Sequence, residues 1–172
     1  MNLYWLNNID ETGRTPLERA FACGHRNLVE LLMEQEQLDK ATTVSGATPL
    51  HRAASLGLLE AIQSLVTFGS NVNEEDEIGE LPIHKAVRAQ ATDVVAYLAE
   101  YSDINHQCNK GFTPLHWAAL MGNLEMLHLL ADKGGDPWLR SNTMDDLSPI
   151  TIAEVMGFTN VTADPHLRKA MG

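Results

Sequence analysis

One eight-residue block recurs five times in this chain, and that recurrence limits the fold more than any bulk property does. It reads GRTPLERA at 13–20, GATPLHRA at 46–53, GELPIHKA at 79–86, GFTPLHWA at 111–118 and DLSPITIA at 146–153. Its prolines, Pro16, Pro49, Pro82, Pro114 and Pro149, are spaced by 33, 33, 32 and 35 residues. A fixed period of this length describes a stack of supersecondary units, each burying its apolar face only against its neighbours. Amphipathic stretches at 27–32 and 124–130 lie between the blocks, and turn-forming ends follow at 71–73, 103–105 and 135–137.

Each position of the block has a local physical reason. Thr15, Thr48, Thr113 and Ser148 are good helix N-caps, and each is followed by proline, which suits the first helical position. Thr15 and Glu18 have capping-box spacing. The alanine pairs Ala53–Ala54 and Ala118–Ala119 let two helices approach closely. Gly24, Gly57 and Gly122 stop the first helix with a left-handed residue. Apolar residues at helical spacing then predict a second helix. The third unit breaks the pattern: Leu81 replaces the capping threonine, Gln90 replaces the turn glycine, and the closing loop at 98–105 is one residue shorter.

The Thr-Pro-Leu-His block, the alanine pair, the glycine, the second-helix leucines and the period near 33 together resemble the ankyrin-repeat family over residues 8–158. The resemblance implies an all-α solenoid of helix–turn–helix units with short β-hairpin loops. It implies about four full repeats and a partial C-terminal capping repeat: one domain over 1–172, with repeats near 10–42, 43–75, 76–107, 108–142 and 143–172. Leu3, Tyr4, Trp5 and Leu6 are expected to fold back on the outer face of the first repeat. A truncated preceding repeat of a longer chain is the other reading. After a first helix around 148–156, residues 158–172 predict a short polar cap in which Asp164–Pro165 restarts a helical turn.

The formal net charge of −11 argues against nucleic acid, which demands a basic footprint, and against anionic membrane surfaces. No apolar run reaches membrane-span length, and residues 1–10 carry no basic residue or signal-peptide run. Cys23 and Cys108 read as reduced thiols, so a cytoplasmic chain is expected, with the nucleus also open. A monomer is expected. His51, His84 and His116 recur at one position. Metal ligands must converge, whereas equivalent positions in a stack lie along a line. The resemblance implies instead that they hydrogen-bond within and between loops. Neither a metal nor a cofactor is predicted, and the chain reads as a non-enzyme. A regulatory ankyrin segment of a larger enzyme and a secreted effector acting in a host cell remain as alternatives.

The resemblance also implies where a partner protein sits: on the concave face of the first helices and at the hairpin tips. The concave position just after the histidine holds Arg19, Arg52, Lys85, Trp117 and Ile152. Three residues further on stand Ala22, Ser55, Arg88, Leu120 and Val155. The expected concave contacts are Arg19, Arg52, Ser55, Lys85, Arg88, Trp117 and Leu120, a basic ladder that ends on an apolar patch. Arginine and tryptophan are favoured binding anchors. That chemistry suits an acidic or phosphorylated partner segment with an apolar anchor. At the tips, Glu74–Glu77 with Glu80 reads as an acidic finger, either solvated or matched to a basic partner, with Glu75, Asp76 and Glu77 as contacts. The tip at 106–112 offers Lys110 and Phe112. The resemblance further implies that Asn73 suits an asparaginyl hydroxylase, a plain turn asparagine being the other reading.

Overall fold

The computed structural model describes residues 46–142 and 146–165, together with positions 10, 11, 16, 19, 20, 23, 25, 28 and 167. The expectations for Leu3 to Leu6, Thr15, Glu18, Ala22 and Gly24 lie outside these residues. Eight helices follow in order among the described residues: α1 (Pro49–Ser55), α2 (Leu59–Thr67), α3 (Pro82–Arg88), α4 (Thr92–Leu98), α5 (Pro114–Leu120), α6 (Leu124–Asp132), α7 (Pro149–Val155) and α8 (Thr159–Thr162). They form four antiparallel pairs. The first helices α1, α3, α5 and α7 pack in succession as one layer, and α2, α4 and α6 form a second layer behind them. This is an all-α repeat stack.

The block residues account for each start and stop. Thr48, Thr113 and Ser148 accept the backbone N–H three residues on, at 3.4, 3.3 and 3.2 Å, with proline leading each helix. Gly57 and Gly122 adopt φ of 68° and 64° after α1 and α5. The alanine pairs are buried at the contact between layers, and the core runs continuously through Leu50, Ile62, Leu65, Ile83, Leu98, Leu115, Leu127 and Leu130.

The hairpin loops differ from the expected β-hairpins, since no strand occurs among the described residues. One backbone bond closes the base of each: Asp76 to Glu80 at 3.1 Å, Cys108 to Phe112 at 3.0 Å and Ser141 to Leu147 at 2.8 Å. A ladder needs successive bonded pairs along the flanking residues, and one closing bond per loop does not make one. The C-terminal cap is less polar than its sequence suggests. The Asp164 carboxylate accepts the Leu167 N–H at 3.2 Å and so starts the expected helical turn, which buries Leu167 completely beside Val161.

The third repeat is irregular as its sequence indicates. Leu81 has no side-chain acceptor and is buried instead. Gln90 takes φ of 56°, the left-handed conformation that glycine holds in its neighbours. A left-handed non-glycine residue costs about 1 kcal/mol, and Gln90 is exposed. Gln90→Gly is therefore expected to stabilise the protein by up to about 1 kcal/mol, read as a higher melting temperature by circular dichroism. A lower one would show that the glutamine side chain contributes more than its backbone costs.

Candidate functional site

The first helices line a groove of about 460 Å³ whose walls include Arg52, Ser55, Asp76, Ile78, Lys85 and Arg88. Four residues of the sequence-predicted concave face, Arg52, Ser55, Lys85 and Arg88, thus share one cavity. Their positions follow from helix geometry: residues three apart on α1 or α3 lie on one face, and successive first helices align these faces.

The floor of the groove is ionic under α3. Glu80 lies immediately before Leu81, and its carboxylate accepts from Lys85 Nζ at 2.5 Å and from Arg88 Nη1 at 3.1 and 3.3 Å. Lys85 Nζ also lies 2.7 Å from Asp76 Oδ2. The other Asp76 oxygen accepts the N–H groups of Ile78 at 3.0 Å and Glu80 at 2.9 Å. The Asp76 and Glu80 side chains are only 4% and 1% exposed, against 17% for Lys85 and 46% for Arg88. Burial opposes both charges of the Asp76–Lys85 pair. The mutual hydrogen bonds prevail, so the Asp76 carboxyl is held below its ordinary pKa and the Lys85 ammonium above its own.

Next along the stack the floor becomes aromatic. The Arg88 guanidinium lies 4.9 Å from the centroid of the Trp117 ring, within cation–π range. Phe112 meets Trp117 edge-on at 5.4 Å and stacks on His116 at 5.3 Å. Glu80 and Phe112 hold the same position of the repeat, as do Lys85 and Trp117 five residues later. One structural pair is therefore ionic in the third repeat and aromatic in the fourth, and Arg88 spans both. Beyond Trp117, Leu120 is half-buried and Val155 is 73% exposed.

A model of ankyrin repeats in three copies matches residues 2–76 and 50–141. The chain belongs to the ankyrin-repeat family. It is 42% identical over 80 residues to human Rabankyrin-5, a match covering 45% of this chain and 7% of that protein. It is 30% identical over 131 residues to the probable 26S proteasome regulatory subunit p28 of Saccharomyces cerevisiae, covering 73% of this chain and 57% of the relative. With the probable E3 ubiquitin-protein ligase XBOS32 of Oryza sativa it shares 29% identity over 152 residues, covering 70% of this chain and 31% of the relative. Ankyrin repeats are generally protein–protein interaction modules.

The ankyrin histidines form a line of structural bonds. The N–H groups of Thr48, Leu81 and Thr113 point at Nδ1 of His51, His84 and His116 at 3.2, 3.1 and 3.1 Å. With Nδ1 accepting, Nε2 carries the proton. It donates to the next repeat, at the carbonyls of Glu80 (2.8 Å), Phe112 (3.2 Å) and Leu147 (3.0 Å). The turn asparagines also join neighbours. Asn73 accepts the Asp103 N–H at 2.9 Å and donates to the Tyr101 carbonyl at 3.4 Å, and Asn105 makes the matching pair with Asp136 and Gly134. Among the described residues no cluster of His, Cys, Asp or Glu has the form of a metal site.

Several predicted contacts stand elsewhere than the sequence suggests. The acidic finger divides: Glu74, Glu75 and Glu77 are exposed at the tip, whereas Asp76 and Glu80 turn inward as the counter-ions of Lys85 and Arg88. Buried carboxylates must be paired, and these two lie beside the nearest cations. Phe112 does not project from its tip, because its ring gains more by packing on His116 and Trp117. Lys110 is exposed at the tip. Ile152, at the ladder's end, is buried beneath the surface. Arg19 is exposed and lies 3.4 Å from Asp10. Cys108 is buried and Cys23 exposed, both as free thiols. Glu80 was the residue missed as part of the ladder. Its signal was present: Ala47, Phe112 and Leu147 hold the same position in the second, fourth and fifth repeats, so a carboxylate there is out of pattern.

Proposed function

We propose that this protein is a non-catalytic interaction module that binds a partner protein on the concave face of its second to fifth repeats. The observation that carries this reading is the groove itself. Arg52, Lys85 and Arg88 bring three cations to its wall, and Arg88 rests on Trp117 of the next repeat. The partner is an acidic or phosphorylated segment with an apolar anchor, its anion at the arginines and its anchor at Trp117. Arginine on an aromatic plane offers a stacked cation beside apolar surface, a pairing common at binding hot spots. The exposed finger residues Glu75 and Glu77 and the tip residue Lys110 act as rim contacts.

Association is expected to weaken at least tenfold when Arg52, Arg88 and Trp117 are all replaced by alanine. The check is affinity purification with mass spectrometry, comparing wild type with the triple variant after circular dichroism shows equal helicity. Partners recovered equally by both would remove the concave face from the binding surface. A second reading, a regulatory segment working within a ubiquitin ligase or similar enzyme, is favoured by the match to the rice protein, of which the aligned region makes up 31%.

A further inference from the structure

The counter-ion arrangement under the groove bears on which anion it accepts. Lys85 has its ammonium shared between Asp76 and Glu80 and is mostly covered, so it is not available to a ligand. Arg88 gives one nitrogen, Nη1, to Glu80 and leaves Nε and Nη2 with no partner among the described residues. Those two donors form the bidentate edge that matches a single carboxylate. The ring of Trp117 holds the guanidinium on its other face, so the edge is fixed in orientation. The free edge of Arg88 faces the groove beside one exposed carboxylate, Glu77, on its wall, and the carboxylates of Asp76 and Glu80 lie buried behind Lys85 and Arg88.

A phosphate monoester carries about −1.5 to −2 charges near neutral pH and seeks several uncommitted cations. Here it would meet one half-used guanidinium and Arg52, with two fixed negative charges behind Lys85 and Arg88. Repulsion from buried charges is screened weakly by salt. A carboxylate presents half the charge and needs only the one bidentate edge.

Building on the proposed concave site, we infer that Glu80, with Asp76 behind it, determines its specificity: the groove accepts a partner's aspartate or glutamate carboxylate and rejects phosphate. Glu80 touches Lys85 and Arg88 rather than the partner, and acts by fixing the charge those two cations have left to offer.

The test uses random peptides displayed on phage, selected on the wild-type protein. One enriched peptide is then synthesised with glutamate, glutamine or phosphoserine at its acidic position, and affinities are measured by fluorescence anisotropy. Wild type is expected to enrich peptides pairing an acidic residue with a large apolar one. It should bind the glutamate form at least tenfold more tightly than either other form. Glu80→Gln keeps the shape and an acceptor for Lys85, and is expected to narrow or reverse the preference over phosphoserine. Asp76→Asn should shift it in the same direction. The wild-type comparison needs no variant to fold. Phosphoserine binding wild type as well as glutamate overturns the inference, as does a ratio unchanged in a folded Glu80→Gln protein. Enriched peptides lacking acidic residues overturn it while leaving the protein-binding reading in place. No enrichment of any peptide counts against both.

Discussion

Replacing Lys85 by alanine is expected to lower the unfolding free energy by about 3–5 kcal/mol, the usual cost of removing one partner from a buried ion pair. The magnitude comes from what stays behind. Asp76 and Glu80 remain 4% and 1% exposed, with Arg88 left as the near cation for Glu80 alone. Asp76 then keeps its two backbone N–H bonds and loses its only ion-pair partner among the described residues. Urea denaturation at neutral pH measures the effect. The pair itself is not the source of net stability, because bringing three charges out of water offsets most of their attraction. The combination Asp76→Asn, Glu80→Gln, Lys85→Met should therefore recover most of the loss. A Lys85→Ala protein as stable as wild type would show that water reaches both carboxylates.

Acid is expected to destabilise this protein well above the carboxylate range. His51, His84 and His116 are buried and hydrogen-bonded as neutral rings, and burial holds all three below the ordinary histidine pKa, His84 at about 4. In the unfolded chain they titrate near 6.5. A folded-state pKa that is depressed leaves the native state at full stability above pH 6.5. As pH falls the unfolded chain takes up the proton first, and stability is lost down to the folded-state value. For His84 this amounts to about 3 kcal/mol between pH 6.5 and 4, and His51 and His116 add to it in the same direction. Asp76, also depressed, adds a loss only at lower pH, below the ordinary carboxylate value. Urea midpoints at pH 7.5, 6, 5 and 4.5 should fall steadily, and His84→Asn should flatten the slope whatever its own stability. A midpoint unchanged from pH 7.5 to 5 would mean that these rings accept protons without breaking their bonds to the next repeat.

Much of the scaffold was legible in particular residues. Thr48, Thr113 and Ser148 cap helices where their side chains and the following prolines place them. Gln90 adopts the left-handed turn that its place in the period demands. These are short-range consequences, set by bonds to residues three or four positions away. The histidines were legible as structural through the family resemblance, which implies the bonds they make within and between repeats. The interior of the groove was less legible. A run of Glu, Glu, Asp and Glu reads as one solvated finger, and Lys85 and Arg88 read as free rungs of a ladder.

By itself the sequence determined the repeat, its period, the helix starts and stops, and that Arg52 and Ser55 share a face with Lys85 and Arg88, because all of these follow from local geometry and repetition. Only the tertiary structure decided that Asp76 and Glu80 turn inward, that Lys85 is consumed between them, and that Arg88 rests on Trp117 of the next repeat. The physical reason is that charge pairing depends on distances across loops and between helices. A residue's own neighbours in sequence fix its face, but the folded surroundings fix whether its charge is spent within the protein or left for a partner.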